Sequence, residues 1–360
     1  MADSAGPANG EVITDREVSL ARRLLNWRTI GSLVFAVLLV VLLVVAVGDR
    51  IGETATAISH ANPLFLVAAF VVYYLTFPLR GLRWNFILRR SGERLPYRAT
   101  TEILFLSWFV NCVVPAKLGD IYRAYLLRGN FGASISRTLG TVFIERIADI
   151  IVIFGLALAA GFWSFRGRNR PDVDAIFLFG FVVALILVVL LVLLRFQGQR
   201  LTRFLPARIG ELYERFHEGS TGALTARSIP VIIFITGCIW VLEGLRLYFV
   251  IRALALPEVG LGVSSAIFVA LVGSLLTAVP LTPGGLGLVQ AGVTGVLYSL
   301  YGVATQYGLA VAATDGAIST LSVIVIGGIF YLLSDKVRRA HGISGQKRAA
   351  SVVRGTSLDK

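Results

Sequence analysis

An all-α fold that crosses a bilayer several times is the expectation from this chain. It rests on how the apolar residues are blocked, how cations alternate between the blocks, and where proline and glycine interrupt them. Of 360 residues, 56% are hydrophobic and only 15% are charged, whereas a soluble domain carries about 25% charged residues. Residues 30–47 and 175–194 contain no charge at all. At 1.5 Å rise per residue, about 20 such residues match a hydrocarbon core of roughly 30 Å.

Crossings are expected at 30–48, 64–79, 139–163, 175–195, 229–251 and 311–333, about six in all. The first is followed by Gly48-Asp49-Arg50 rather than by a small-residue cleavage site, so it reads as an uncleaved anchor. Two further apolar stretches, 101–128 and 263–303, are each interrupted by a Pro/Gly element.

Lys and Arg number 27 across segments 1–29, 80–100, 116–137, 195–228 and 334–360, against 5 across 49–62, 164–174 and 252–262. By the positive-inside bias the first set is cytoplasmic, both termini included; the expected location is the cell membrane. Topology thereby explains the net charge of +13, and no nucleic-acid partner is expected. Lys117, Arg123, Arg128 and Arg137 fall on the same side as the arginines before 101–128, so that stretch should enter the membrane and return. The stretch 263–303 should do the same from the opposite face. Each half, about 30–163 and 175–333, then reads span, span, re-entrant hairpin, span, with the second half inverted.

The polar ends, 1–25 and 336–360, are expected to be disordered cytoplasmic tails around a membrane domain at 26–335. Residues 199–217 alternate basic and bulky apolar positions near helical spacing. They read as an interfacial segment on anionic headgroups, with a plain solvated linker as the alternative.

A charge inside a span costs about 2.5–3.5 kcal/mol on insertion scales, so it normally faces protein or a wet cavity. Glu145, Arg146 and Asp149 lie on one helix, at spacings that let Asp149 approach both of the others. Glu243 and Arg246 stand three apart in the fifth span, and Asp315 sits beside Gly316 early in the sixth. Such groups either neutralise one another and fasten helices, or line a site. For Glu145–Asp149 the site reading is preferred; for Glu243 and Arg246 both remain open.

The interruptions carry a second signal. Pro115-Ala-Lys117-Leu-Gly119 and Pro283-Gly284-Gly285-Leu-Gly287 occupy corresponding places in the two halves. A helix broken within a membrane exposes amides that only protein or water can satisfy, and amides at a helix start attract anions. Lys117, Asp120 and Arg123 lie close to the first break. The bland alternative for either break is a small-residue helix contact.

No Gly-x4-Gly-Lys-[Ser/Thr] phosphate loop and no Gly-x-Ser-x-Gly elbow occurs. Cys112 and Cys238 lie in hydrophobic segments, and His60, His217 and His341 are scattered. No metal, cofactor or catalytic residue is expected.

At these residues the chain resembles the transmembrane, flippase-like domain of lysylphosphatidylglycerol synthases and its stand-alone relatives. Arg83-Trp84 is similar to the family's Arg-Trp. Asn111-x3-Pro115-x3-Gly119-Asp120-x2-Arg123 is similar to its Asn-x3-Pro-x3-Gly-Glu-x2-Arg. Glu145-Arg146-x2-Asp149 is similar to its Glu-Arg-x2-Asp, and Pro280-x2-Pro283-Gly284-Gly285-Leu286-Gly287 to its signature. The resemblance covers about residues 25–335. Two places depart from the pattern: Gln290 stands where the family usually has an acid, and Asp315 lies where it often has an arginine.

The resemblance implies lipid translocation, without the synthase activity that a separate cytoplasmic domain supplies in the bifunctional relatives. The expected binding residues are Asn111, Pro115, Lys117, Gly119, Asp120, Arg123, Glu145, Arg146, Asp149, Pro283, Gly284, Gly285, Gly287, Gln290 and Asp315. Arg83, Trp84, Glu243 and Arg246 are expected to be structural or interfacial. The expected partners are membrane lipids with anionic headgroups and a separate lipid-synthesising enzyme. The alternatives are a non-transporting scaffold for a glycosyltransferase or other lipid enzyme and, behind it, an intramembrane lipid-modifying enzyme.

Overall fold

The computed structural model describes residues 51–114, 117–166, 207–256, 261–277 and 282–340, with isolated positions between 34 and 48 and between 178 and 189. The crossings expected at 30–48 and 175–195, the two chain ends, Pro115 and Pro280 fall outside the described residues or nearly so. The helices are α1 Ile51–Ser59, α2 Pro63–Arg90, α3 Tyr97–Val113, α4 Leu118–Phe131, α5 Ile135–Ser164, α6 Ala207–Thr221, α7 Ser228–Leu254, α8 Val263–Leu276, α9 Leu288–Tyr301, α10 Thr305–Leu333 and α11 Asp335–Ala340. No strand occurs among the described residues. The chain is an all-α membrane protein.

Local chemistry sets the ends. Asn62 accepts from the Leu64 amide at 2.9 Å ahead of Pro63, an N-cap followed by the one residue with no amide to satisfy. Gly132 and Gly302 end α4 and α9 with φ of 71° and 69°, backbone that glycine adopts without a steric penalty. The helices α2, α7 and α10 are long and apolar enough to cross a membrane. Helix α5 has 30 residues, roughly 45 Å of rise, with Glu145, Arg146 and Asp149 near its middle.

One expected boundary moves. Helix α2 runs unbroken through Pro78 to Arg90, rather than ending at 79. Arg80 and Arg83 are therefore mid-helix residues, each 2% exposed, and do not belong among the loop cations. Removing both leaves the sign of the charge bias unchanged.

Both interrupted stretches are helix–break–helix units. Helix α3 is capped at Val114 and α4 starts after Lys117, α8 is capped at Thr277 and α9 starts after Gly287, and in each unit the two arms pack together. The pairing pattern then repeats under exchange of α2 with α7, α3 with α8, α4 with α9 and α5 with α10. Helix α2 touches α3 as α7 touches α8, and α4 touches α5 as α9 touches α10. Across the halves, the end of α5 meets the start of α8 through Ser164 and Ser265 (2.7 Å), while the end of α10 and the Ser334 that follows it meet the start of α3 through Phe330–Phe105 and Ser334–Glu102 (2.7 Å).

Helices α2 and α7 pack on each other and run in opposite directions. The Asn62 amide donates to the Ala253 carbonyl at 2.7 Å, Phe65 lies 6.4 Å from Phe249, and Arg80 and Arg83 bond Glu243 and Thr236 at 2.8 and 2.9 Å. Antiparallel counterparts are what an inverted repeat requires. Glycine permits the matching close approaches: a Cβ on Gly81 would meet Thr101 Oγ1 at 2.1 Å, and one on Gly244 would meet Ile267 Cγ1 at 2.5 Å.

The core is double. One apolar cluster surrounds α3, with Tyr73, Phe77, Trp84, Ile103, Leu106, Leu126 and Val323; the other surrounds α8, with Leu247, Val250, Phe268, Leu271, Leu297 and Val311. Polar residues lie between them. Outward positions such as Leu64, Phe234, Val325 and Leu332 are apolar and exposed, the arrangement lipid selects.

The peripheral helices dock on this frame. Helix α6 packs on α5, where Gly219 and Gly140 bring the two backbones close and Arg137 bonds Glu218 at 2.6 Å. Helix α11 packs on α4, where the Tyr125 hydroxyl donates to the Ala340 carbonyl and the Asn130 amide to the Lys336 carbonyl. Helix α1 meets α10 through Thr54 and the Gln306 carbonyl, at 3.1 Å.

Candidate functional site

Two buried ion-pair groups lie near the contact of the halves, the first made within one half and the second joining the two. In the first, Arg83 bonds Asp149 at 2.6 Å and Glu145 at 3.2 Å, Arg123 bonds Glu145 at 2.7 Å, and Arg146 bonds Asp120 through Nε at 3.0 Å and Nη2 at 2.9 Å. In the second, Arg80 meets Glu243 at 2.8 Å, Arg246 meets Glu243 at 3.1 Å, and Arg246 engages both oxygens of Asp315 at 2.9 and 3.0 Å. All of these residues except Asp120 and Arg146 are at most 7% exposed. Burying such charges costs several kcal/mol per ion unless partners and hydrogen bonds compensate, and this geometry supplies both.

The partners differ from those the spacing suggested. Within α5, Arg146 reaches Asp149 only at 3.6 Å, and its close partner is Asp120 on α4. Glu145 turns to Arg83 on α2 and Arg123 on α4. Glu243 and Arg246 do pair within their helix, yet each also holds a second helix.

Aromatic faces complete the setting. The Arg80 guanidinium lies 4.4 Å from the Trp108 ring and 5.4 Å from that of Trp240, and Arg123 lies 4.8 Å over Trp84. Trp240 also donates to Asp149 at 3.1 Å and Trp84 to Thr141 at 3.2 Å. Arg83 and Trp84 are thus interior residues.

Between the groups lies a cavity of about 180 Å³. Its charged lining is Arg80, Lys117, Arg146, Glu243, Arg246 and Asp315, and both breaks reach it, through Asn111 and Lys117 on one side and Thr282, Gly284, Gly285 and Gln290 on the other. The breaks also meet each other, since a Cβ on Gly284 would lie 3.3 Å from Cys112 Cα at the end of α3. Asp120, Arg123, Glu145 and Asp149 stand behind the lining and hold it. Gly119, Pro283 and Gly287 belong to the breaks without lining the cavity.

The breaks satisfy their own amides in matching ways. Asn111 Oδ1 accepts from the Gly119 amide at 2.8 Å, and Gln290 Oε1 accepts from the Gly287 amide at 2.7 Å. A Cβ on Gly119 would fall 2.0 Å from the Ser107 carbonyl, so that glycine serves the approach of α3 to α4. Gly284, Gly285 and Gly287 take φ of 58°, 74° and 78°, and Lys117 takes 52°, the left-handed region that non-glycine residues rarely adopt. The helix-start amides at Gly119 and Gly287 are thereby occupied.

Arg80 is the site residue that sequence reasoning missed. The signal was present: Leu79-Arg80-Gly81-Leu82-Arg83 and Leu242-Glu243-Gly244-Leu245-Arg246 share four of five positions on counterpart helices. Among the described residues no group of three or more His, Cys, Asp or Glu is arranged to hold a metal ion.

The family model described as the lysylphosphatidylglycerol synthase TM region matches residues 29–327. A UPF0104 membrane protein of Methanocaldococcus jannaschii is 31% identical over 228 residues, covering 63% of this chain and 95% of its own. A UPF0104 membrane protein of Methanothermobacter thermautotrophicus is 26% identical over 317 residues, covering 81% and 93%. The glycosyltransferase AglD of Haloferax volcanii is 28% identical over 319 residues, covering 79% of this chain and 51% of AglD, so the match spans about half of that relative's length.

Proposed function

This chain belongs to the lysylphosphatidylglycerol synthase transmembrane-region family, and from that premise we propose that it translocates a lipid, passing the phosphate-bearing headgroup through the cavity while the acyl tails stay in the bilayer. The observation that carries this reading is the meeting of both broken hairpins with Arg80, Lys117, Arg146 and Arg246 at one cavity between oppositely directed halves. Broken helices at the interface of inverted repeats are where transporters place their substrates. Intramembrane cations retained at such a place favour a substrate pathway over a passive core. The lysine and arginine bias favours both termini in the cytoplasm.

Roles follow from position. Arg146 and Lys117 meet the phosphate, Asp120 and Asp149 hold Arg146 in place, and Glu145 holds Arg83 and Arg123. Gln290 and Asn111 keep the two breaks in shape. The test is translocation of a fluorescent phospholipid by the purified protein in liposomes. Arg146→Ala should lower the rate by about tenfold or more, the cost of one charge-assisted contact; equal rates for variant and wild type remove this site.

A second reading has one observation in its favour, the match to about half of a glycosyltransferase: a membrane scaffold for a separate lipid enzyme. A scaffold tolerates joint neutral replacement of Glu145 and Arg146, whereas a transporter does not.

A further inference from the structure

We infer that the cavity selects a headgroup with one net negative charge and no ammonium group, a phosphodiester carrying a neutral polyol rather than an amine or an amino acid. This deepens the translocation reading and rests on it for the identity of the ligand as a lipid headgroup.

The inference comes from the charges themselves. Five arginines (Arg80, Arg83, Arg123, Arg146 and Arg246) and five carboxylates (Asp120, Glu145, Asp149, Glu243 and Asp315) form the two buried groups. They balance. Every one of those carboxylates has an arginine within 3.2 Å, so none brings an uncompensated negative charge to an ammonium, although Asp315 Oδ1 on the cavity makes no hydrogen bond. Gln290, a neutral amide, lines the cavity and spends its oxygen on the Gly287 amide.

What the balanced groups leave over is positive. Lys117 lines the cavity with no carboxylate within 4 Å among the described residues, and brings one charge beyond the balance. Arg80 is 2% exposed and uses only Nη2 on Glu243, while its Nε and Nη1 have no hydrogen-bond partner. Thr282, 4% exposed on the opposite break, lines the same cavity with an unpartnered hydroxyl. Buried donors without acceptors are costly, and a phosphate offers several acceptor oxygens with the one charge that neutralises Lys117. An ammonium would meet an excess cation and carboxylates whose charge an arginine already balances.

Binding, read without transport, tests this. The full-length protein in a nonionic detergent is mixed with equal amounts of phosphatidylglycerol, phosphatidylethanolamine and lysylphosphatidylglycerol of matched chains, and retained lipid is counted by native mass spectrometry. Phosphatidylglycerol should be retained about tenfold over the other two, and Lys117→Gln should remove that preference while Lys117→Arg keeps it. Gln290→Glu, which retains an acceptor for Gly287 and adds a free carboxylate, should shift retention toward the ammonium lipids. Displacement of phosphatidylglycerol by millimolar inorganic phosphate supports the inference and places recognition in the phosphate; failure of phosphate to compete, with the preference intact, supports it with the polyol included. Equal retention of the three lipids, or a preference unchanged in Lys117→Gln, overturns it. Selective binding by a protein that moves no lipid in liposomes defeats the translocation reading and leaves this one standing.

Discussion

Arg80 and Glu243 meet at 2.8 Å, and each is the other's counterpart in the repeat. Both precede a glycine, Gly81 or Gly244, that brings the next hairpin arm close, and both stand three residues before an arginine, Arg83 or Arg246, that bonds an acid on the last helix of its own half. One duplicated position has thus become a cation in one half and an anion in the other, and the pair joins the halves at the cavity.

Removing one member of that pair strands a buried charge. Arg80→Met and Glu243→Met should each lower stability by about 3–5 kcal/mol, and the double variant by less than either. Reversible unfolding in mixed micelles, treated as a double-mutant cycle, measures the coupling. Additive losses would show that the two side chains do not share an interaction.

The break after α3 depends on a cap. Asn111→Ala should cost about 0.5–2 kcal/mol by releasing the Gly119 amide, with Asn111→Asp close to wild type. Thermal melting in detergent checks this, and an Asp variant as unstable as the Ala variant would contradict the cap.

Close approach separates two kinds of glycine. Gly119→Ala drives a Cβ to 2.0 Å from the Ser107 carbonyl oxygen, backbone that has little freedom to retreat, and should cost about 1–3 kcal/mol as overpacking. A Cβ on Gly237 would meet no atom within 4 Å, and Gly237→Ala should be neutral or stabilising by up to about 1 kcal/mol. Melting temperatures of the two variants rank them.

The inverted halves make a prediction about sides. In a background without native cysteines, Ser164→Cys with Ser265→Cys should form a cross-link, since the two serine hydroxyls lie 2.7 Å apart, and Glu102→Cys with Ser334→Cys marks the opposite end of the halves. Impermeant thiol reagents should reach the first pair from one face of the membrane and the second from the other. Labelling of both pairs from the same face would contradict the inversion.

Much of this architecture was legible in the sequence because lipid imposes length and polarity on whole segments. The spans at α7 and α10 and both broken hairpins follow from apolar run length and from proline and glycine. The charged cluster on α5 stood out because charge inside a span is rare. The pairings were not legible, since Arg83 and Glu145 or Asp120 and Arg146 come together only when separate helices pack, and local spacing favoured the weaker contact of Arg146 with Asp149. Arg80 was hidden for another reason: the apolar run ends near it, so a buried arginine read as a loop cation, although the five-residue echo around Glu243 pointed to a helix interior.

The most direct test asks whether the cavity charges serve movement of lipid rather than the fold alone. Translocation of a fluorescent phosphatidylglycerol in liposomes is compared between wild type and the Arg80→Met, Glu243→Met double variant, after both are shown to melt cooperatively. The account predicts a folded double variant whose translocation falls by about tenfold or more, the loss expected when a charged contact is removed. A double variant that moves the lipid at the wild-type rate would contradict it.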